Sequence, residues 1–101
     1  MSAYLSLLKW TEQGIRNVKD TVNRARAVEQ AFQAAGGRKI GIWWTQGPYD
    51  AVFIFEAPDE ETATRLVLAL GMQGSIRTTT MRAFGEQEMG RITQGLPYVS
   101  T

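Results

Sequence analysis

The hydrophobic period of the sequence changes from one stretch to the next, and these changes divide the chain into seven segments. Four of them are rich in β-branched and aromatic residues, which predicts strands over residues 3–10, 39–45, 49–56 and 75–84. Between strands, apolar residues that recur every three or four positions predict two long helices, and a short helix follows the last strand. The order β-α-β-β-α-β and the right-handed crossover rule predict an α+β, ferredoxin-like sandwich. Strands one and three would be central in an antiparallel sheet, with both long helices on one face.

Local signals set the ends of these elements. Thr11 is predicted to cap a first helix of about six turns, and Gly36-Gly37 to end it. Gln46-Gly47-Pro48 predicts the turn of a hairpin between strands two and three. Asp59 is predicted to cap the second long helix. The short last helix is expected to fold back on the body through three apolar residues, Met89, Ile92 and Leu96.

Both faces of the predicted strands are apolar, although only one face would be covered by helices. In strand three, one side holds Ala51, Phe53 and Phe55 and the other holds Val52 and Ile54. Leaving such a face wet would expose several hundred Å² of contiguous apolar surface, which soluble monomers rarely tolerate. We therefore expect a second copy to pack sheet to sheet in a dimeric α+β assembly, with higher assemblies left open. The residues predicted for this interface are Trp43, Phe53 and Ile54.

The composition removes most familiar catalytic and metal-binding chemistry. The sequence contains no histidine and no cysteine, so the usual general base and the commonest metal ligands are missing. Its net charge of +1 is too small to hold a nucleic-acid backbone. No apolar stretch approaches the roughly 20 residues that cross a bilayer. We expect one cytoplasmic domain over residues 1–101, with no metal, cofactor, nucleic-acid or membrane partner.

Several separated stretches resemble the GYD domain family, which is named for a Gly-x-Tyr-Asp motif. Here that motif falls on Gly47, Tyr49 and Asp50, and residues 11–14, 56–61 and 74–84 are also similar to the family pattern. The likeness covers nearly the whole chain. It implies a small bacterial or archaeal ferredoxin-like domain, and it implies little about function because the family is largely uncharacterised.

The candidate site residues each have a structural alternative. The catalytic candidates, which would transfer protons, are Tyr49, Asp50 and Glu56. The favoured interpretation of the first two is structural, with Asp50 closing a turn and Tyr49 packing its ring at a strand end. The ligand-binding candidates are Trp10, Trp44, Tyr49 and Arg77, and packing is the alternative for the aromatic ones. The acids at 56 and 59–61 fit a capped helix start better than a metal site.

Two functions follow from these residues. The favoured one is a non-enzymatic, homo-oligomeric module that binds a small ligand or serves assembly. The alternative is a cofactor-independent isomerase or oxygenase that acts on a small hydrophobic molecule between sheet and helices. The enzyme requires an enclosed cavity of several hundred Å³ that a carboxylate or phenol reaches.

Overall fold

The computed structural model, which describes residues 1–100, contains four strands and four helices in this part of the chain. The strands are β1 (Ser2–Trp10), β2 (Arg38–Trp44), β3 (Ala51–Ala57) and β4 (Ile76–Ala83). The helices are α1 (Glu12–Arg16), α2 (Thr21–Ala34), α3 (Glu60–Met72) and α4 (Glu86–Gln94). Not one of these helices combines the length and the hydropathy that crossing a membrane requires. The cytoplasmic location stays a prediction.

The four strands form one antiparallel sheet in the order β2-β3-β1-β4. This order confirms the ferredoxin-like α+β sandwich, with β1 and β3 at the centre. The register places Leu5 of β1 between Ile54 of β3 and Met81 of β4. Because side chains alternate along each strand, these three lie on the same face of the sheet.

The prediction of one continuous first helix is wrong, because this segment divides into α1 and α2. Helix α1 ends at Asn17, whose backbone N–H donates to carbonyls of the helix. The side-chain Nδ2 of Asn17 also donates to the carbonyl of Gln13 at 3.0 Å. Such a local bond competes with continuation of the helix. A 3-10 turn, Val18–Asp20, then redirects the chain before α2 begins at Thr21. The break lets α1 contact the start of β4 while α2 lies over the sheet.

The buried core lies between α2, α3 and one face of the sheet. Phe32 of α2 packs edge-to-face on Phe53 and Phe55, with ring centroids 5.1 and 4.8 Å apart. Tyr4 stacks on Phe55 at 5.3 Å. These aromatic side chains bring a large buried area to a small domain and hold the sheet against the helix layer.

The terminal helix α4 does not fold back on the body, which corrects the sequence prediction. Its apolar residues Met89 and Ile92 are exposed, and so is Leu96, which follows the helix. The radius of gyration is 15.9 Å, against about 12.7 Å for a compact domain of this length. The side chain of Arg82 on β4 explains where α4 leaves the sheet, since it pairs with Glu88 at 2.7 Å and donates to the carbonyl of Ala3. These bonds hold the first turn of α4 at the sheet edge, and the rest projects outward.

Candidate functional sites on the two faces of the sheet

A cavity of about 90 Å³ lies between α2 and the helix-facing side of the sheet. Leu8 and Phe53, on the two central strands, line it. The indole rings of Trp10 and Trp44 border it as well. Helix α2 contributes Arg24. Apolar and aromatic side chains thus form much of the wall, and the polar or charged residues that border it are Asn17, Thr21, Arg24, Lys39, Asp50, Gln73 and Ser75.

Asp50 borders this cavity, but its carboxylate is already engaged. Its Oδ2 accepts a hydrogen bond from the backbone N–H of Trp10 at 2.9 Å. Its own backbone N–H donates to the carbonyl of Leu8 at 2.8 Å. Asp50 thus fastens the end of the β2–β3 hairpin to the end of β1, which is the structural alternative raised for it above.

Of the other polar groups around the cavity, some have a hydrogen-bond or ion-pair partner and the guanidinium of Arg24 does not. The indole Nε1 of Trp44 donates to Thr21 Oγ1 at 3.1 Å and ties the ring to the start of α2. Lys39 pairs with Glu29 at 3.2 Å. The half-buried Arg24 makes no ion pair and no hydrogen bond through its guanidinium with any residue from 1 to 100.

Tyr49 lies outside the cavity lining. Its ring lies 5.4 Å from the Nζ of Lys9, and Lys9 is on the opposite face of the sheet from Leu8. Its carbonyl accepts a hydrogen bond from Thr45 Oγ1 at 2.7 Å. Gly47, with φ of +111°, supplies the left-handed turn between them. The motif that names the family therefore builds and anchors the hairpin.

Glu56 and Arg77 lie away from the cavity as well. Glu56 pairs with Arg38 at 2.7 Å, about 20 Å from Asp50 along the extended strand. Arg77 donates to the carbonyl of Gly71 in the last turn of α3 at 3.0 Å, a favourable place for a cation. The fold thus brings Trp10, Trp44 and Asp50 together but separates Tyr49, Glu56 and Arg77 from them.

Sequence reasoning missed a junction between α1 and the start of β4. Thr11 accepts from the backbone N–H of Gly14 at 3.2 Å, and its hydroxyl donates to the carbonyl of Gly74. The backbone N–H of Thr11 donates to the carbonyl oxygen of Ser75 at 3.1 Å. Gly14 lies so close that a Cβ there would stand 2.0 Å from that oxygen. The separated stretches 11–14 and 74–75, both similar to the family pattern, were the available signal.

The other face of the sheet carries an apolar surface that no helix of residues 1–100 covers. We call it the open face, and its apolar side chains are Leu5, Leu7, Trp43, Val52, Ile54 and Met81. Trp43 is 55% exposed and Met81 45%. The indole of Trp43 lies over Gly41, where a Cβ would stand 2.4 Å from the ring.

Phe53 lies on the helix side, 3% exposed. Trp43 and Ile54 therefore lie on the open face and Phe53 does not, so the predicted interface set is corrected at Phe53.

The acids after β3 serve the start of α3. Asp59 Oδ1 accepts from the backbone N–H of Thr62 at 2.7 Å. That hydrogen bond lowers the pKa of Asp59 from its ordinary value. Within residues 1–100, no three acidic side chains are grouped so that they could hold a metal ion.

The fold and its junctions define a small ferredoxin-like α+β domain with one covered and one open sheet face. The GYD domain model matches residues 4–93, and the chain belongs to this family. A relative from Thermus thermophilus is 31% identical over 84 residues, which are 82% of this chain and 88% of the relative. It is named glutamine synthetase and cystathionine beta-lyase binding protein.

A solved structure shows the same fold. It is a crystal structure of a protein from Thermus thermophilus that matches with a TM-score of 0.50 and 23% identity. The match covers 84% of this chain and 95% of the crystallised one. The likeness extends over the sandwich and supports the fold alone.

Proposed function

We propose that this protein is a non-catalytic binding module that pairs with a second copy through the open face and binds protein partners. The open face carries the proposal. Its apolar side chains lie in adjacent registers, with Leu5 between Ile54 and Met81 and Leu7 paired with Val52. A continuous apolar surface of this kind on a sheet is typical of an interface.

The charges at the ends of the open face favour one arrangement of the two copies. Lys9 lies at one end of the face, and the Arg38–Glu56 ion pair lies at the other. A two-fold axis can place opposite ends of the two open faces against each other. The Lys9 side chains of the two copies are then far apart, and each lies towards Glu56 of the other copy. The self-complementary patch then buries its apolar centre and leaves charges at its rim.

Protein partners are proposed from the relative's name and from the shape of the chain. The relative is named as a binding protein of two enzymes, and we extend binding of metabolic enzymes to this chain. Helix α4 projects from the body with Met89 and Ile92 exposed. Because α4 leaves the sheet at its edge, it stays accessible when two open faces pair.

No observation specifically favours the catalytic alternative. The cavity of about 90 Å³ is smaller than the several hundred Å³ that an enclosed site for the proposed enzyme requires. Asp50 is bonded to the backbone of Trp10, and Tyr49 and Glu56 do not line the cavity. No phenol or carboxylate is therefore free to move a proton there.

The self-pairing is tested by light scattering coupled to gel filtration. We expect the wild type at twice the chain mass of 11.3 kDa. Ile54→Glu buries an unpaired charge, which costs several kcal/mol, so that variant is expected at the mass of one chain. Leu68→Glu is the matched control, because Leu68 on α3 is 62% exposed on the helix side. A single-chain mass for the wild type at 100 μM, or no effect of Ile54→Glu, would contradict the pairing.

The partner proposal is tested by surface plasmon resonance. Glutamine synthetase and cystathionine β-lyase from the organism that encodes this chain are immobilised, with serum albumin as the control. Saturable binding to either enzyme and none to albumin is the expected result. Absence of binding to both enzymes at 50 μM would overturn the extension from the relative, and it would leave the mass measurement unaffected.

A further inference from the structure

One of the charged residues that line the cavity under α2 has no hydrogen-bond or ion-pair partner for its charge among residues 1 to 100. The charged side chains on its wall are Arg24, Lys39 and Asp50. Lys39 is paired with Glu29, and Asp50 accepts from the backbone N–H of Trp10. Arg24 has no such partner and lies half-buried against the cavity. A guanidinium in this position is a ready donor to a carboxylate, which it can bind through two parallel hydrogen bonds.

The walls of the cavity favour a flat apolar group beside that charge. Trp10, Trp44 and Phe53 all border the space. Aromatic walls favour flat apolar ligands through stacking and edge contacts. The Trp44 ring is held in place by its hydrogen bond to Thr21, so this wall is formed before any ligand enters.

The size of the cavity limits what it can hold. One water-sized sphere takes roughly 10 to 15 Å³ of such volume. The cavity of about 90 Å³ therefore holds a ligand of about six to nine heavy atoms. A single aromatic ring with one carboxylate group has this size.

We propose that this cavity is a binding site for a small aromatic monocarboxylate, with its ring against Trp10 and Trp44 and its carboxylate on Arg24. The competing choice, a small cationic ligand on Asp50, fits less well, because the Asp50 carboxylate already accepts a hydrogen bond and two cations share the wall. This site lies on the opposite side of the sheet from the open face. Binding of a ligand at this site is therefore separate from the proposed self-pairing and does not depend on it.

Titration with benzoate, followed by tryptophan fluorescence and by the unfolding temperature, tests the site. We expect saturable quenching with a dissociation constant in the millimolar range or below, and an upward shift of the unfolding temperature at saturation. Benzyl alcohol, which has the same ring but no charge, is expected to bind at least tenfold more weakly. Picolinate and nicotinate serve as further carboxylates of similar size.

Two variants on α2 assign the binding to the proposed group. Arg24→Gln is expected to weaken benzoate at least tenfold. Arg26→Gln is the matched control, since Arg26 is exposed on the same helix and does not border the cavity. Far-ultraviolet circular dichroism verifies that both variants are folded.

Two results would overturn the site. One is a lack of saturable binding for all three carboxylates up to 50 mM, and the other is equal benzoate affinity in Arg24→Gln and the wild type. Ile54→Glu separates this failure from failure of the self-pairing. Ile54 lies on the open face, so that variant is expected to bind benzoate with the wild-type affinity whatever its oligomeric state.

Discussion

Replacing Gly14 by alanine is expected to destabilise the protein, although alanine is the better helix former. A Cβ at position 14 would stand 2.0 Å from the carbonyl oxygen of Ser75 and 3.2 Å from Cδ1 of Trp10. Real Cβ atoms essentially never approach closer than 3.0 Å, so α1 or the start of β4 must move by about 1 Å. The same oxygen accepts the hydrogen bond from the N–H of Thr11 at 3.1 Å, and that bond would be strained or lost.

The opposing contributions give the expected magnitude. Overpacking costs about 1–3 kcal/mol, and loss of the hydrogen bond from Thr11 costs about 1 kcal/mol. The helix propensity of alanine over glycine returns about 1 kcal/mol. The free energy of unfolding is therefore expected to fall by about 1–3 kcal/mol, or roughly 4 °C or more in unfolding temperature.

Urea unfolding at one fixed protein concentration, followed by tryptophan fluorescence and circular dichroism, measures this effect. Gly71→Ala is the matched control, because a Cβ at position 71 meets nothing within 4 Å. It is expected to stabilise the protein by about 0.5–1 kcal/mol. If Gly14→Ala is as stable as the wild type, the close approach of α1 to Ser75 does not constrain the fold and the reasoning is refuted.

Two further predictions concern polar groups with and without partners. The hydroxyl of Tyr4 is buried without a hydrogen-bond partner in residues 1–100, so Tyr4→Phe is expected to leave the free energy of unfolding unchanged or raise it by about 1 kcal/mol. Ser6→Ala removes a 2.7 Å bond to the hydroxyl of Thr80 and is expected to lower it by about 1–2 kcal/mol. A loss in Tyr4→Phe as large as in Ser6→Ala, in the same urea experiment, would show that the phenol has a partner. The hydrogen bond from Arg82 lowers the pKa of Glu88, so the stabilisation of α4 is present above the ordinary glutamate pKa and lost as pH falls through the lowered one. Hydrogen exchange of α4 amides should show this acid loss in the wild type and not in Glu88→Gln, and equal pH dependence in both would contradict the assignment.

The sheet and its helices could be predicted from the sequence because their signals are local. The hydrophobic period, the Asp59 cap and the Gly47 turn act over a few residues, and each is found where the sequence placed it. The break between α1 and α2 could not be predicted in this way. The side chain of Asn17 supplies a local cause for the break, but the position of α1 is set by a tertiary contact, since Gly14 and Ser75 lie far apart in the sequence and meet only in the folded chain.

The candidate site was predicted in part. The alternation along a strand separates Tyr49 from Asp50, but which face each of them takes depends on where the helices pack. The same choice of face separates Phe53 from Ile54 and therefore decides which of them can contact a second copy. Arg24 has no ion-pair partner because no acidic side chain of residues 1–100 lies close enough to its guanidinium. The spacing of residues in α2 cannot show this, because it depends on the packing of other elements.

The double attachment of Asp50 to β1 has a consequence for how relatives of this chain can diverge. One residue closes the hairpin and also forms part of the cavity wall, so exchanging it would disturb architecture and recognition at once. Residues 45–48 lie outside that wall, so within this loop only Thr45 and Gly47, which form the turn, are constrained. A change of ligand is therefore expected to arise from substitutions in α2, which can alter one side of the cavity while the strands that form the other side stay the same.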